Sequence, residues 1–128
     1  KVIIFAVTIL TSLDDENLDQ IYGRHSAVEI LVPRLAKMAV ENGATGVICS
    51  PLEAMSVRDV VGADVIIGTP GIRFVKPDAS PDDQKRIATP AMAIRSGADF
   101  VVMGRDLKDK ADCARAVAEI DGVLAERW

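Results

Sequence analysis

Three stretches of the chain repeat one pattern, Gly-Ala followed within two residues by a run rich in branched apolar side chains: Gly43-Ala44-Thr45-Gly46-Val47-Ile48, Gly62-Ala63-Asp64-Val65-Ile66-Ile67 and Gly97-Ala98-Asp99-Phe100-Val101-Val102. Glycine accepts backbone conformations after a helix's last turn that a Cβ opposes, and branched residues favour an extended, buried strand. Each stretch is read as a helix ending that runs into a strand. The apolar run Val2 to Val7 adds another, which makes four strands.

Between these strands apolar residues recur at helical spacing. From Ala27 to Asn42, Val28, Leu31, Val32, Leu35 and Ala39 share one face, with Ser26 and Glu29 as a capping box. Pro33 is expected to kink this helix or to begin a second one there. Ser50-Pro51-Leu52-Glu53 offers a hydroxyl cap, proline at the first helical position and a glutamate reaching back, and Thr89-Pro90 repeats the cap and proline. A closing helix from about Asp112 to Arg127 presents Val117, Ile120 and Leu124 to the core, with Gly122 as its weak point. Met38, Met55, Met92 and Met103 are read as core filling. No linker or low-complexity tract interrupts the pattern, so residues 1–128 are read as one segment. Apolar strands alternating with helices give βα units and a parallel sheet, and four such units are half of a closed (β/α)8 barrel.

Composition sharpens this α/β reading. The 128 residues are 49% hydrophobic but only 4% aromatic, which suits buried parallel strands under packed helices. That length holds one sizeable core, yet a complete (β/α)8 barrel takes roughly 250 residues. Beginning at Lys1 inside a strand pattern, the sequence is expected to be a chain cut out of something longer. The net charge of −4, without a basic run, argues against a nucleic-acid partner. The apolar stretches are too short to span a bilayer and no signal peptide precedes them, so a soluble, cytoplasmic protein with no membrane partner is expected. Cys49 and Cys113 form no Cys-x-x-Cys pair and have only His25 to join them, which favours free thiols and no metal site.

Ligands of parallel α/β folds gather at the carboxyl ends of the strands. Here those ends read Thr8-Ile9-Leu10-Thr11-Ser12, then Ser50, then Gly68-Thr69-Pro70-Gly71-Ile72-Arg73, then Gly104-Arg105-Asp106. Two of the four pair glycine with arginine. Glycine lets backbone N–H groups approach an anion, and arginine supplies a planar fork for phosphate oxygens, so a phosphate site is predicted at the last two strands. From Ile72 to Ala88 the chain carries Pro77, Pro81, Asp82, Asp83, Gln84, Lys85 and Arg86 without periodicity, and is read as a lid over that phosphate. The pair Asp82-Asp83 is read as a solvated cluster or helix start, and His25 as a surface or capping residue.

Taken in order and spacing, Val7-Thr8-Ile9-Leu10-Thr11-Ser12, Gly68-Thr69-Pro70-Gly71-Ile72-Arg73, Asp82-Asp83-Gln84-Lys85-Arg86, Thr89-Pro90 and Gly104-Arg105 resemble the orotidine 5'-monophosphate decarboxylases, in their bacterial-type branch. The resemblance covers essentially the whole chain and implies the C-terminal half of the family's barrel, strands 5–8. It implies that Thr11 touches the pyrimidine ribonucleotide near its base. It also implies that Arg73, Gln84, Gly104 and Arg105 hold the phosphate, with Gln84 arriving as the lid closes. The family converts orotidine 5'-monophosphate to uridine 5'-monophosphate and CO2 in pyrimidine biosynthesis, without metal or organic cofactor, and is dimeric.

The family's catalytic Asp-x-Lys-x-x-Asp motif belongs to the first half of the barrel and does not occur in these 128 residues. Lys85 and Lys108 sit in the wrong elements to replace it. No catalytic residue is therefore assigned, and the chain alone is expected not to decarboxylate. Open strand edges and an uncovered apolar face point to self-association, or to the missing N-terminal half-barrel as partner. Two other readings stand beside this one: a sister sugar-phosphate decarboxylase or epimerase, and a non-catalytic half-barrel scaffold.

Overall fold

Four short strands pair in the order in which the chain makes them. In a computed structural model, which describes residues 2–10, 12–22, 27–76, 78 and 88–126, β1 (Phe5–Val7), β2 (Gly46–Ile48), β3 (Ile66–Thr69) and β4 (Phe100–Val101) form one parallel sheet, β1-β2-β3-β4. Sequential order without reversal is that of a barrel segment, since a doubly wound sheet reverses direction at its centre. The four βα units expected from the sequence are therefore present. Their registers set Phe5 beside Gly46 and Gly68 beside Phe100.

The helices are α1 (Asp15–Tyr22), α2 (Val28–Glu41), α3 (Ala54–Val61), α4 (Pro90–Arg95) and α5 (Lys110–Ala125). Val47 and Ile67 of the sheet, with Cys49 just after β2 and Val65 just before β3, pack with Val32 and Ala36 of α2 and Ala54 and Val57 of α3 in one apolar core. A second core joins Ile72, Ala93, Ile94, Ala98 and Val123, with Val101 and Met103 packed against it. Side chains alternate across a strand, so Phe5, Val7, Ile48, Ile66, Phe100 and Val102 point to the opposite face, the inside of the barrel. No described helix covers that face, and Val7 and Val102 are 58% and 49% exposed there.

The glycines that open each repeat have positive φ, 98° at Gly43, 80° at Gly62 and 100° at Gly97, as their place after a helix requires. Thr89 caps α4, its hydroxyl accepting from the Met92 N–H at 3.2 Å, with Pro90 following as read.

Several local expectations are corrected. Pro33 starts no second helix: α2 runs through it from Val28 to Glu41, and its missing N–H removes only the bond to the Glu29 carbonyl. The capping box for α2 involved Ser26, which lies outside the described residues; the Val28 N–H is instead taken by the Asp15 carboxylate at 2.8 Å. Pro51 does not begin α3. The Ser50 hydroxyl accepts from the Leu52 N–H at 3.2 Å and the Glu53 N–H bonds the Ser50 carbonyl at 3.0 Å, so one tight turn precedes the helix, which starts at Ala54. In α5 the buried side chains are Ala116 and Val123, with Ile120 beside them, while Val117 and Leu124 are exposed. Val123 packs with Ala93 and Ile94 of α4, which sets the inward stripe one residue away from the expected one. Met38 and Met55 are likewise exposed, on helix faces that no described element covers.

Helix α1 is not legible in the pattern, since Leu18 alone among its described side chains is fully buried. Its start is nevertheless reciprocal: the Asn17 N–H donates to the Asp14 carboxylate at 2.9 Å and the Asp14 N–H to the Asn17 side-chain oxygen at 3.1 Å.

Candidate functional site

At the carboxyl end of β3 the chain turns through Gly71, whose φ is +77°, and then buries Ile72 and Phe74 on either side of Arg73. This alternation leaves the Arg73 side chain half-exposed while its neighbours hold the loop to the core. The Arg73 N–H bonds the Ala88 carbonyl at 2.9 Å, tying the start of the loop to the residue that precedes α4. The Arg115 guanidinium of α5 lies 4.1 Å from the centre of the Phe74 ring.

At the end of β4 the Val102 N–H reaches the Thr69 carbonyl at 2.8 Å, so the two strands leave the sheet side by side. A turn closes from the Leu107 N–H to the Gly104 carbonyl at 3.0 Å and presents Gly104 and Arg105 to solvent. A Cβ placed on Gly104 would meet nothing within 4 Å, so its backbone is open to approach.

The two loops are joined by one carboxylate. Asp106 accepts the Phe74 N–H at 2.8 Å through one oxygen and stands 3.5 Å from the Arg73 guanidinium through the other. Beside this contact lies a cavity of about 210 Å3 lined by Phe74, Val75, Lys76, Asp106, Lys108 and Arg115, among others; neither Arg73 nor Arg105 lines it. Arg73, Gly104 and Arg105 therefore stand at adjacent strand ends. Thr11 and Gln84, expected at the same site, lie outside the described residues, as do His25 and the Asp82-Asp83 pair.

A model of the orotidine 5'-phosphate decarboxylase / HUMPS family matches residues 1–120. This chain belongs to that family. It is similar to the orotidine 5'-phosphate decarboxylase of Nitrosospira multiformis, 42% identical over 92% of this chain and 48% of the relative. It is 46% identical to that of Nitrosomonas europaea, over 95% of this chain and 52% of the relative. Among solved structures, the orotidine 5'-phosphate decarboxylase of Lactobacillus acidophilus superposes with a TM-score of 0.74 at 36% identity, covering 93% of this chain and 49% of that one. The chain spans about half the length of the curated relatives it matches. Four parallel βα units are accordingly half of a decarboxylase-family barrel.

A second concavity of this family fold, about 480 Å3, opens beyond β1 and β2 and is lined by Ile9, Leu10, Leu13, Asp14, Ser50 and Glu53 among others. Burial pushes the Glu53 carboxyl above its ordinary range, against hydrogen bonds from the Ser50 side chain and backbone that pull it down. Burial likewise pushes the neighbouring Cys49 thiol up to about 12, helped by the charge of Glu53 and opposed by Arg58. Sequence reasoning had placed Glu53 only as a cap. Asp106 it quoted without a role, because nothing in Gly104-Arg105-Asp106 signals where the carboxylate turns.

Among the described residues no group of three or more His, Cys, Asp or Glu side chains is placed to hold a metal ion. No described helix is long and apolar enough to cross a membrane.

Proposed function

We propose that this chain is the C-terminal half of an orotidine 5'-monophosphate decarboxylase and supplies the grip on the 5'-phosphate. The observation that carries the reading is the Asp106 carboxylate, which accepts the Phe74 N–H and stands 3.5 Å from the Arg73 guanidinium, so that the two glycine-arginine loops lie side by side. Arg73 and Arg105 take phosphate oxygens, the open backbone at Gly104 donates to them, Gln84 closes over them, and Thr11 meets the base end. Guanidinium groups bind a dianion well at a strand end, where a planar fork meets two oxygens at once.

In this reading the chain does the remote part of catalysis. Binding energy gathered on the phosphate, away from the reacting carbon, closes the cage in which loss of CO2 from orotidine 5'-monophosphate leaves uridine 5'-monophosphate. The acid–base residues belong to the other half, and this chain alone does not turn over.

The partner is that N-terminal half, or else a second copy. What supports a partner is the uncovered apolar face of Phe5, Val7, Ile48, Phe100 and Val102, together with the length of the relatives, about twice this chain's. Apolar surface of that kind is covered in stable proteins. Calorimetry with uridine 5'-monophosphate and with inorganic phosphate tests the grip. Preference for the nucleotide, lost in Arg73→Ala and Arg105→Ala, supports the reading; equal weak binding of both ligands points to a sister phosphate barrel, and no binding to a scaffold. Turnover by the purified chain overturns the assignment of acid–base chemistry to the other half.

A further inference from the structure

The cation at the end of β3 and the anion at the end of β4 meet in a way that phosphate binding alone does not require. Asp106 is three-quarters buried, at 24% side-chain exposure. A carboxylate so placed beside an anion site repels the ligand, so its presence calls for a compensating role. Its two oxygens divide the work. One takes the Phe74 N–H at 2.8 Å and fixes the backbone just after Arg73; the other stands 3.5 Å from one guanidinium nitrogen of Arg73, an ion pair rather than a hydrogen bond. The Ala88 carbonyl fixes the same loop from its other side through the Arg73 N–H. A guanidinium has five N–H donors, and an ion pair at this distance leaves its fork for a ligand.

We propose that Asp106 is the positioning residue of the phosphate grip: it aims Arg73 at the dianion and sets the spacing between the Arg73 and Arg105 loops. The proposal rests on the phosphate reading given above. It makes Asp106 a residue whose negative charge improves the binding of a negative ligand.

The sign of the effect separates this from the alternatives. Asp106→Asn keeps an oxygen for the Phe74 N–H while removing the charge that faces Arg73. If Asp106 were only a neighbouring anion, its neutralisation would tighten phosphate binding by relieving repulsion. If it were only a loop staple, binding would not change. Positioning predicts weakening, by about fivefold to tenfold, the scale of coupled contacts in one network.

The test is titration of the chain with inorganic phosphate and with uridine 5'-monophosphate, followed calorimetrically, for the unsubstituted chain, Asp106→Asn, Arg73→Ala, Arg105→Ala and the Asp106→Asn/Arg73→Ala pair. The expected result is weaker binding in Asp106→Asn at an unchanged melting temperature, and no further loss when Asp106→Asn is added to Arg73→Ala. Asp106→Glu, with its charge kept, is expected to recover part of the affinity. Unchanged or tighter binding in Asp106→Asn, or a loss that adds fully to that of Arg73→Ala, overturns the positioning role while leaving the phosphate grip standing. If Arg73→Ala and Arg105→Ala bind as the unsubstituted chain does, or if that chain binds neither ligand, the phosphate reading fails and takes this inference with it.

Discussion

Phe5 of the first strand and Phe100 of the last meet edge to face inside the sheet, their ring centres 5.6 Å apart and their planes at 85°. They reach each other across β2 and β3 because the residues beneath them are glycines. A Cβ on Gly68 would run into the Phe100 ring, and one on Gly46 would meet both the Phe5 ring and the Ile66 carbonyl oxygen, the latter at 2.7 Å. Gly68→Ala is therefore expected to destabilise the chain by about 1–3 kcal/mol through overpacking, measured by urea unfolding. Combining it with Phe100→Val should recover part of that loss. Gly46→Ala should resist the same rescue by Phe5→Val, since the backbone carbonyl does not yield; equal rescue at both sites would show that the rings alone exclude a methyl group.

Arg58 holds the opposite end of the sheet. Its guanidinium donates to the carbonyls of Gly62, Val65 and Gly97 at 2.8, 2.6 and 2.9 Å and pairs with Asp99 at 2.6 Å, while the same Asp99 oxygen accepts the Ile67 N–H at 2.7 Å. One side chain thus ties the end of α3 to the starts of β3 and β4. Arg58→Ala is expected to cost about 2–4 kcal/mol, and Arg58→Lys to recover less than half, because an ammonium lacks the planar fork that reaches separate carbonyls. Chemical denaturation gives both values, and full rescue by lysine would mean that charge alone suffices.

How much of this was legible in the sequence follows from the range of each signal. The Gly-Ala repeats are local signals for local events, a helix stop and a strand start, and they located three strands and the parallel arrangement. The glycine-arginine loops were legible because strand ends are where ligands gather, whatever the detailed packing. What escaped was set by distant partners. Val117 and Leu124 satisfy helical spacing as well as Ala116 and Val123 do, and only packing against α4 decides which pair turns inward. Among its described side chains helix α1 fully buries only Leu18 and so shows no stripe to read. Asp106 and Arg58 act on residues more than thirty positions away in the chain, which no spacing rule reaches.

Glu53 gives the chain a pH dependence of known sign. Burial raises its carboxyl above the ordinary range, so between the unfolded and folded values the folded state holds a proton that the unfolded chain has released. Folding is then favoured by this group at acid pH, and the contribution is lost as pH rises from the unfolded value through the folded one. Glu53→Gln, which can still accept from Ser50, is expected to unfold at a higher temperature than the unsubstituted chain at pH 7, with the gap closing as the pH is lowered below the ordinary carboxylate range. A gap that stays constant with pH would remove Glu53 as its source.

The two thiols should differ sharply in reactivity, and one of them can report on the proposed partner. Cys49 is buried, with its thiol at about 12, so at pH 8 only about one molecule in ten thousand carries the reactive thiolate. Cys113 is exposed on α5 and lines a groove of about 380 Å3 with Val102, Leu107, Val117 and Ile120, along the free edge of β4. Iodoacetamide at pH 8 should label Cys113 rapidly and Cys49 only after unfolding, as mass spectrometry of the digested chain would resolve. If the N-terminal half of the barrel covers that edge, adding it should slow Cys113 labelling at least tenfold, about the protection that 1.4 kcal/mol of closure provides, and leave Cys49 as slow as before. Labelling of Cys113 at the same rate in a complex shown by light scattering to have formed would place the partner on another face.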